Sequence, residues 1–197
     1  MSKKILLVND LAGYGKVALS AMIPVLSHMG CETYNLPTAI VSNTLDYGKF
    51  EILDTSEYMK KTLEVWAELG FDFDAVSTGF IVSKEQTELL TEFCKDRAEK
   101  GSIIFTDPIM GDEGVLYNGI SEDTVALMRK LIGVADYIVP NYTEASYLAG
   151  AAYQEDGASE EEYHAIIDRL RELGAKSVVI TSARVKDASV KSVIGYD

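Results

Sequence analysis

Apolar positions along the chain alternate between short runs and helical stripes. Lys4–Asn9 is a brief aliphatic run ending in polar residues, as a strand does. Val17–Met29 follows, with apolar side chains at 18, 19, 22, 25, 26 and 29, a helical spacing in which Pro24 predicts a kink. Thr33–Ser42 reads as a second extended stretch. Thr55–Leu69 sets Met59, Thr62, Leu63, Trp66 and Leu69 on one side of a helix. Ala75–Thr78 is a short strand. Ser83–Lys100 is a helix with Ser83 and Gln86 as capping box and Leu89, Leu90, Phe93 and Cys94 as buried stripe. Ser102–Thr106 is a strand that Asp107-Pro108 breaks. Further on, Ser121–Ile132, Thr143–Ala149 and Ser159–Leu173 read as helices, the last with Ser159 and Glu162 as capping box. Tyr137–Val139 and Lys176–Thr181 read as strands, and Ser189–Ile194 begins one more.

This alternation predicts an α/β fold: a mostly parallel central sheet with helices on both faces, formed by one domain over residues 1–197. Such sheets bind ligands outside the carboxyl ends of their strands. The residues to inspect are therefore Asn9-Asp10, Thr38 to Asn43, Thr78 to Phe80, Asp107 to Gly111, Asn141 to Glu144, and Thr181-Ser182.

Composition narrows the function classes. Eighteen basic against 31 acidic residues leave a net charge of −13, which disfavours a nucleic-acid partner. No apolar run approaches the ~18 residues that span a bilayer, so no membrane partner is expected. Cys31 and Cys94 have no metal-ligand spacing and read as thiols of a reducing, cytoplasmic environment. Glu155–Glu162 is an acidic run on a solvated loop and helix start. His28 and His164 have no nucleophile of triad character beside them.

Three segments carry candidate chemistry. Gly13 to Ala18 fits G-x-G-x-x-A, the form of a dinucleotide-binding turn. Its first glycine comes late after the strand, and no acidic residue ends the second strand to hold a ribose. A glycine-permitted loop over a small ligand and a purely structural turn are the other readings. Asp107 closes a buried strand before Pro108 and Gly111. It is either a Mg²⁺ carboxylate working with substrate phosphates or a turn-initiating Asp. Asn141 and Glu144 are either a helix cap or, through Glu144, a second carboxylate beside the metal.

Taken together, several motifs resemble one family, the pyridoxal (vitamin B6) kinases of the ribokinase-like superfamily. They are Asn9 to Gly15, Leu36 to Asn43, Tyr47-Gly48, Thr78-Gly79-Phe80, Asp107 to Asp112 and Pro140 to Glu144. The resemblance runs from about Lys3 to the last residue. It implies ATP-dependent phosphorylation of the 5′-hydroxymethyl group of pyridoxal, pyridoxine or pyridoxamine, with ATP and Mg²⁺ as cofactors and a homodimer as assembly. It implies that Asp10 and Thr38 bond the polar groups of the pyridine ring, that Phe80 lies near its face, and that Ser42, Asn43 and Tyr47 help cover it. Asp107 and Glu144 would organise Mg²⁺ and the ATP phosphates, with Asn141 beside them and Thr181 at the nucleotide edge.

Departures are visible too. Many family members have Ser at Asp10, Tyr at Phe80 and His at Thr44. A carboxylate at Asp10 favours a protonated ring nitrogen or an amine. The family's Gly-x-Gly-Asp motif, which supplies the base and an anion hole, falls past residue 197. No residue here is assigned the catalytic base, the C-terminal part of the fold is expected to be absent, and the 197-residue chain is not expected to turn over efficiently. The rivals are a hydroxymethylpyrimidine kinase of the same superfamily, a non-catalytic B6-vitamer binder, and a dinucleotide-binding oxidoreductase.

Overall fold

The computed structural model describes residues 2–44, 47–117, 120–186, 188 and 190–197; Ser189, where the last strand was expected to begin, lies outside them. The chain divides into two units, Met1–Ile104 and Phe105–Asp197.

In the first unit β1 (Lys4–Ala12) pairs in parallel with β2 (Glu32–Val41) and β4 (Ala75–Thr78), and β3 (Ile52–Asp54) adds antiparallel to β2. The helices are α1 (Ala18–His28), α2 (Ser56–Glu68) and α3 (Lys84–Glu99). Leu6, Leu7 and Val8 are consecutive and fully buried. That is the mark of a central parallel strand, covered on both sides rather than alternating. Met59 from α2, and Leu90 and Cys94 from α3, are buried as well. Each such aliphatic side chain stabilises the unit by roughly 1.5–3 kcal/mol.

In the second unit β5 (Ile103–Thr106), which starts at the end of the first, pairs in parallel with β8 (Tyr137–Ile138). β8 pairs in parallel with β9 (Ser177–Arg184), and β10 (Lys191–Tyr196) adds antiparallel to β9. β6 (Gly111–Asp112) and β7 (Val115–Leu116) form a separate two-stranded ribbon. The helices are α4 (Glu122–Ile132), α5 (Tyr142–Ala149) and α6 (Glu160–Glu172). The mostly parallel α/β architecture read from the sequence is therefore present. No helix among the described residues is long and apolar enough to cross a membrane.

Several details differ from the sequence reading. β1 runs on to Ala12, so Asp10 lies within a strand rather than after it. Leu69 is 61% exposed because α2 ends before it. Gln86 does not close a capping box. Ser83 accepts the Gln86 N–H at 3.2 Å as expected, but the Gln86 carboxamide is fully buried and works elsewhere. Its Nε2 donates to the Thr38 carbonyl at 2.8 Å and to Asp54 at 3.0 Å, and its Oε1 accepts from the Val82 N–H at 3.2 Å.

Candidate functional site

The sequence-selected residues gather at three places. The first is in the second unit, where the chain leaves β5. Asp107 follows Thr106, and a tight turn returns the Ile109 N–H to the Asp107 carbonyl at 2.9 Å. A few residues after β8, Asn141 caps α5: its Oδ1 accepts the Glu144 N–H at 3.0 Å, and Glu144 Oε2 accepts the Asn141 N–H at 2.8 Å. The capping box is thus real, yet it does not exhaust Glu144. The other carboxylate oxygen, Oε1, accepts the Met110 N–H at 3.0 Å, and Asn141 Nδ2 donates to the Gly111 carbonyl at 2.8 Å. One carboxylate therefore starts a helix and pins the loop after β5. Thr181 joins through its N–H, which donates to the Pro140 carbonyl at 2.9 Å.

Together these segments enclose a cavity of about 410 Å³, whose lining includes Asp107, Asp112, Asn141, Glu144, Thr181 and Ser182. Burial pushes Asp107 up to about 6, and no described group donates a hydrogen bond to its carboxylate. Burial also pushes Glu144 up to about 8, and the charge of Asp107 adds to this, while the Asn141 and Met110 N–H groups pull the other way. Two largely desolvated carboxylates facing one polar cavity form an electrostatic arrangement that a cation would relieve. Asp107 has free lone pairs for direct coordination, whereas both Glu144 oxygens are already engaged and suit a bond through water. Among the described residues no cluster of three or more His, Cys, Asp or Glu forms a complete protein cage. This donor set fits a small hard cation that keeps waters and shares phosphate oxygens.

The second place is in the first unit, at the ends of β1, β2 and β4. The β1–β2 ladder slips there: Asn9 pairs with Pro37 but Leu11 with Ile40, so Thr38 and Ala39 together face Asp10. Such a bulge re-aims side chains beside a site. Thr38 is fully buried and its hydroxyl donates to the Phe80 carbonyl at 2.6 Å. Phe80 is buried, and its N–H is accepted by Asn9 Oδ1 at 2.8 Å. Asn9 Oδ1 also accepts the Asp10 N–H at 3.0 Å. Gly79 is required by this contact: a Cβ there would lie 2.2 Å from Asn9 Nδ2. Burial raises the pKa of Asp10, opposed by the backbone N–H at its own position.

The third place is an open cleft in the same unit, lined by Tyr14, Ser42, Asn43, Tyr47 and Lys49. Ser42 Oγ donates to Asn43 Oδ1 at 2.7 Å and accepts the Glu51 N–H at 2.9 Å. Asn43 Nδ2 donates to the Lys49 carbonyl at 2.9 Å. Tyr14 and Tyr47 meet edge to face, centroids 6.2 Å apart. The glycine at 13 serves this loop: its N–H donates to the Val41 carbonyl at 2.7 Å, and a Cβ would lie 2.9 Å from the Ser42 carbonyl. Close backbone approach thus accounts for Gly13, which follows β1 directly rather than late after it as the sequence suggested, and a loop from Gly13 to Val17 separates β1 from α1.

Asp107, Asn141, Glu144 and Thr181 share one cavity, as expected. Ser42, Asn43 and Tyr47 share the cleft, while Asp10, Thr38 and Phe80 line neither space. Sequence reasoning placed Asn9, Tyr14 and Ser182 in segments of interest without giving them a role, and it missed Gln86 and Lys49 as parts of these clusters. Ser182 holds a left-handed φ of 51° beside the cavity. It sits where the β9–β10 ladder slips, Ser192 pairing with Ala183 but Ile194 with Ile180. A Ser at positive φ is uncommon and marks strain at candidate sites.

The model of one protein family, described as phosphomethylpyrimidine kinase, matches residues 18–196. The pyridoxal kinase of Dictyostelium discoideum is 28% identical over 188 residues, covering 92% of this chain and 60% of that protein. The chain therefore spans about 60% of the length of that relative. A protein from Bacteroides thetaiotaomicron, provisionally described as a phosphomethylpyrimidine kinase and crystallised with pyridoxal, superposes with a TM-score of 0.94 at 39% identity. That match covers all of this chain and 69% of the other. The pyridoxal kinase of Lactobacillus plantarum gives a TM-score of 0.83 at 32% identity, covering 99% of this chain and 68% of that one.

Proposed function

Because this chain belongs to the phosphomethylpyrimidine kinase family, we propose that it serves the ATP-dependent phosphorylation of the 5′-hydroxymethyl group of a B6 vitamer. The observation that carries the reading is the convergence of Asp107 and Glu144 on one polar cavity. Phosphoryl transfer is mostly positioning and charge neutralisation, and it needs acidic oxygens for a metal beside the phosphates. The vitamer, rather than another alcohol, is supported by the 39% identical relative crystallised with pyridoxal.

In this reading Asp107 holds Mg²⁺ directly and Glu144 holds it through water, with Asn141 and Thr181 at the edge of the ATP phosphates. Bound there, the metal would neutralise charge on the phosphate oxygens. Glu144 acts through Met110 as well, keeping the loop after β5 in place. In the first unit Asp10 bonds the ring nitrogen or an amine. Thr38 donates its hydroxyl proton to the Phe80 carbonyl and keeps its oxygen lone pairs to accept from a polar group of the ring. Ser42, Asn43 and Tyr47 cover the substrate, joined by Tyr14 and Lys49. The partners are small molecules rather than nucleic acid or membrane, in a cytoplasmic protein. The net charge of −13 and the free Cys31 and Cys94 support this. A homodimer is the assembly to test by light scattering.

A second reading, phosphorylation of a hydroxymethylpyrimidine, is favoured by the description of the matching family. Titration calorimetry with pyridoxal, pyridoxamine and hydroxymethylpyrimidine, followed by product assay with ATP and Mg²⁺, separates the two. Binding of a B6 vitamer in preference to the pyrimidine is the expected result, with any 5′-phosphate that forms being that of the vitamer. Binding of the pyrimidine alone would establish the second reading, and binding of neither ring would refute both.

A further inference from the structure

Asn9 lies among the strand ends of the first unit and is only 5% exposed. Its Oδ1 accepts two N–H groups, from Asp10 at 3.0 Å and from Phe80 at 2.8 Å. Two donors on one atom set the orientation of the amide, because its NH2 end can accept neither. That end lies 3.7 Å from Met22 Sδ on α1, a weak acceptor, and against Gly79. The register of β1 with β4 ends at Val8 and Thr78, with one further backbone bond from the Gly79 N–H to the Val8 carbonyl at 2.8 Å. Past that point the Asn9 side chain continues the link between the two segments. On the other side of β1, Pro37 stands opposite Asn9 and has no N–H to give to a neighbouring strand. Side chains thus take over where the ladder stops. The backbone of Phe80 is held by two of them, its N–H by Asn9 and its carbonyl by the Thr38 hydroxyl at 2.6 Å.

We propose that Asn9 is a positioning residue for the vitamer ring, holding Asp10 and Phe80 at a fixed separation so that carboxylate and aromatic face meet the ring together. The proposal rests on the vitamer reading and deepens it. Asn9 is buried and acts through its two neighbours rather than by touching the ring. Its residue type suits the task. A carboxylate at this position would offer the same oxygen but set a second negative charge beside Asp10, and an aliphatic side chain would leave two buried N–H groups without their acceptor.

The experiment combines amide hydrogen exchange in the ligand-free chain with calorimetric titration of pyridoxal. Both are run on the parent and on Asn9→Leu, and the titration is repeated with each in an Asp10→Ala background. Leu has nearly the shape of Asn and no acceptor. Asn9→Leu is expected to speed exchange of the Asp10 and Phe80 amides together and to weaken pyridoxal binding about ten-fold, the worth of one net hydrogen bond. In the Asp10→Ala background the same change should weaken binding about three-fold or less, since one of its two routes to the ring is gone. A merely structural residue would cost the same factor in both backgrounds, or would lower the melting temperature and leave the affinity of the folded chain intact. Either result overturns the proposal, as does unchanged exchange of the two amides. If Asn9→Leu fails to fold, Asn9→Ser gives the same reading, because its oxygen is too short to reach both N–H groups. Pyridoxal that does not bind the parent chain overturns the vitamer reading and this proposal with it, whereas binding that a folded Asn9 variant leaves intact overturns the proposal alone.

Discussion

Replacing Glu144 by Gln isolates what its carboxylate contributes, because the two side chains have the same shape and differ in charge and in one acceptor. In the parent chain both oxygens accept backbone N–H groups, from Met110 and from Asn141, in a position only 3% exposed. Gln can accept only one of them, and the other N–H would face an amide. Leaving one buried N–H unpaired costs about 1–3 kcal/mol. Against this stands the desolvation of the charge. Burial lifts Glu144 from 4.5 to about 8 despite the opposing N–H groups of Asn141, Met110 and Gly111, so the folded state holds its proton more tightly than the unfolded chain does. A raised acid contributes stability that is fully present below pH 4.5 and is lost as pH climbs through about 8. At about 1.4 kcal/mol per pH unit that loss approaches 5 kcal/mol as an upper bound. Glu144→Gln carries no such dependence. Urea unfolding in EDTA, at intervals from pH 5 to pH 9, should show the parent chain falling by several kcal/mol relative to the variant, enough to close the starting gap of about 1–3 kcal/mol and reverse it. Parallel stability curves across that range would refute the reasoning and leave Glu144 a helix cap with an ordinary charge.

Other outcomes follow from the same contacts. Asp10→Ala should weaken pyridoxal or pyridoxamine binding by about 1.5–3 kcal/mol, the worth of a hydrogen bond to a charged group, as read by calorimetry; unchanged affinity for both removes Asp10 from the site. Gln86→Leu strips the Thr38 carbonyl and the Val82 N–H of their buried partner. It should lower unfolding free energy by about 2–4 kcal/mol at constant urea m-value. Gly79→Ala drives a methyl into Asn9 and should cost about 1–3 kcal/mol, measured the same way. With a thiol reagent Cys31 should react first and Cys94 only on unfolding, since Cys94 is fully buried and its thiol is pushed up to about 12.

Long elements with a clear period were legible in the sequence. Ser159 and Glu162 announced α6 and form its cap as expected, and Ala75–Thr78 matched β4 residue for residue. The β6–β7 ribbon was not legible, because two residues per strand carry no period. Nor was the three-residue β3. For the candidate site, the sequence located the ends of strands but not the destinations of hydrogen bonds. Asn141 and Glu144 could be read as a cap or as a site, and the structure shows that one carboxylate caps the helix and also grips the loop. Gln86 looked like a cap because its spacing from Ser83 was right, yet its amide turns toward Thr38 and Asp54, a choice only the folded neighbours decide. Asp10 was placed after a strand because Asn9-Asp10 reads as a break. The bulge opposite Thr38 lets the strand run through it.

The shared grip of Glu144 has a consequence for how this part of the chain opens. The amide protons of Met110 and Asn141 are far apart in sequence but end on the two oxygens of one carboxylate. Neither can be released by a swing of that side chain without exposing the other. In hydrogen–deuterium exchange the two amides should therefore behave as one cooperative unit, with matching opening free energies that change together under denaturant. The turn after β5 and the first turn of α5 would melt in a single event.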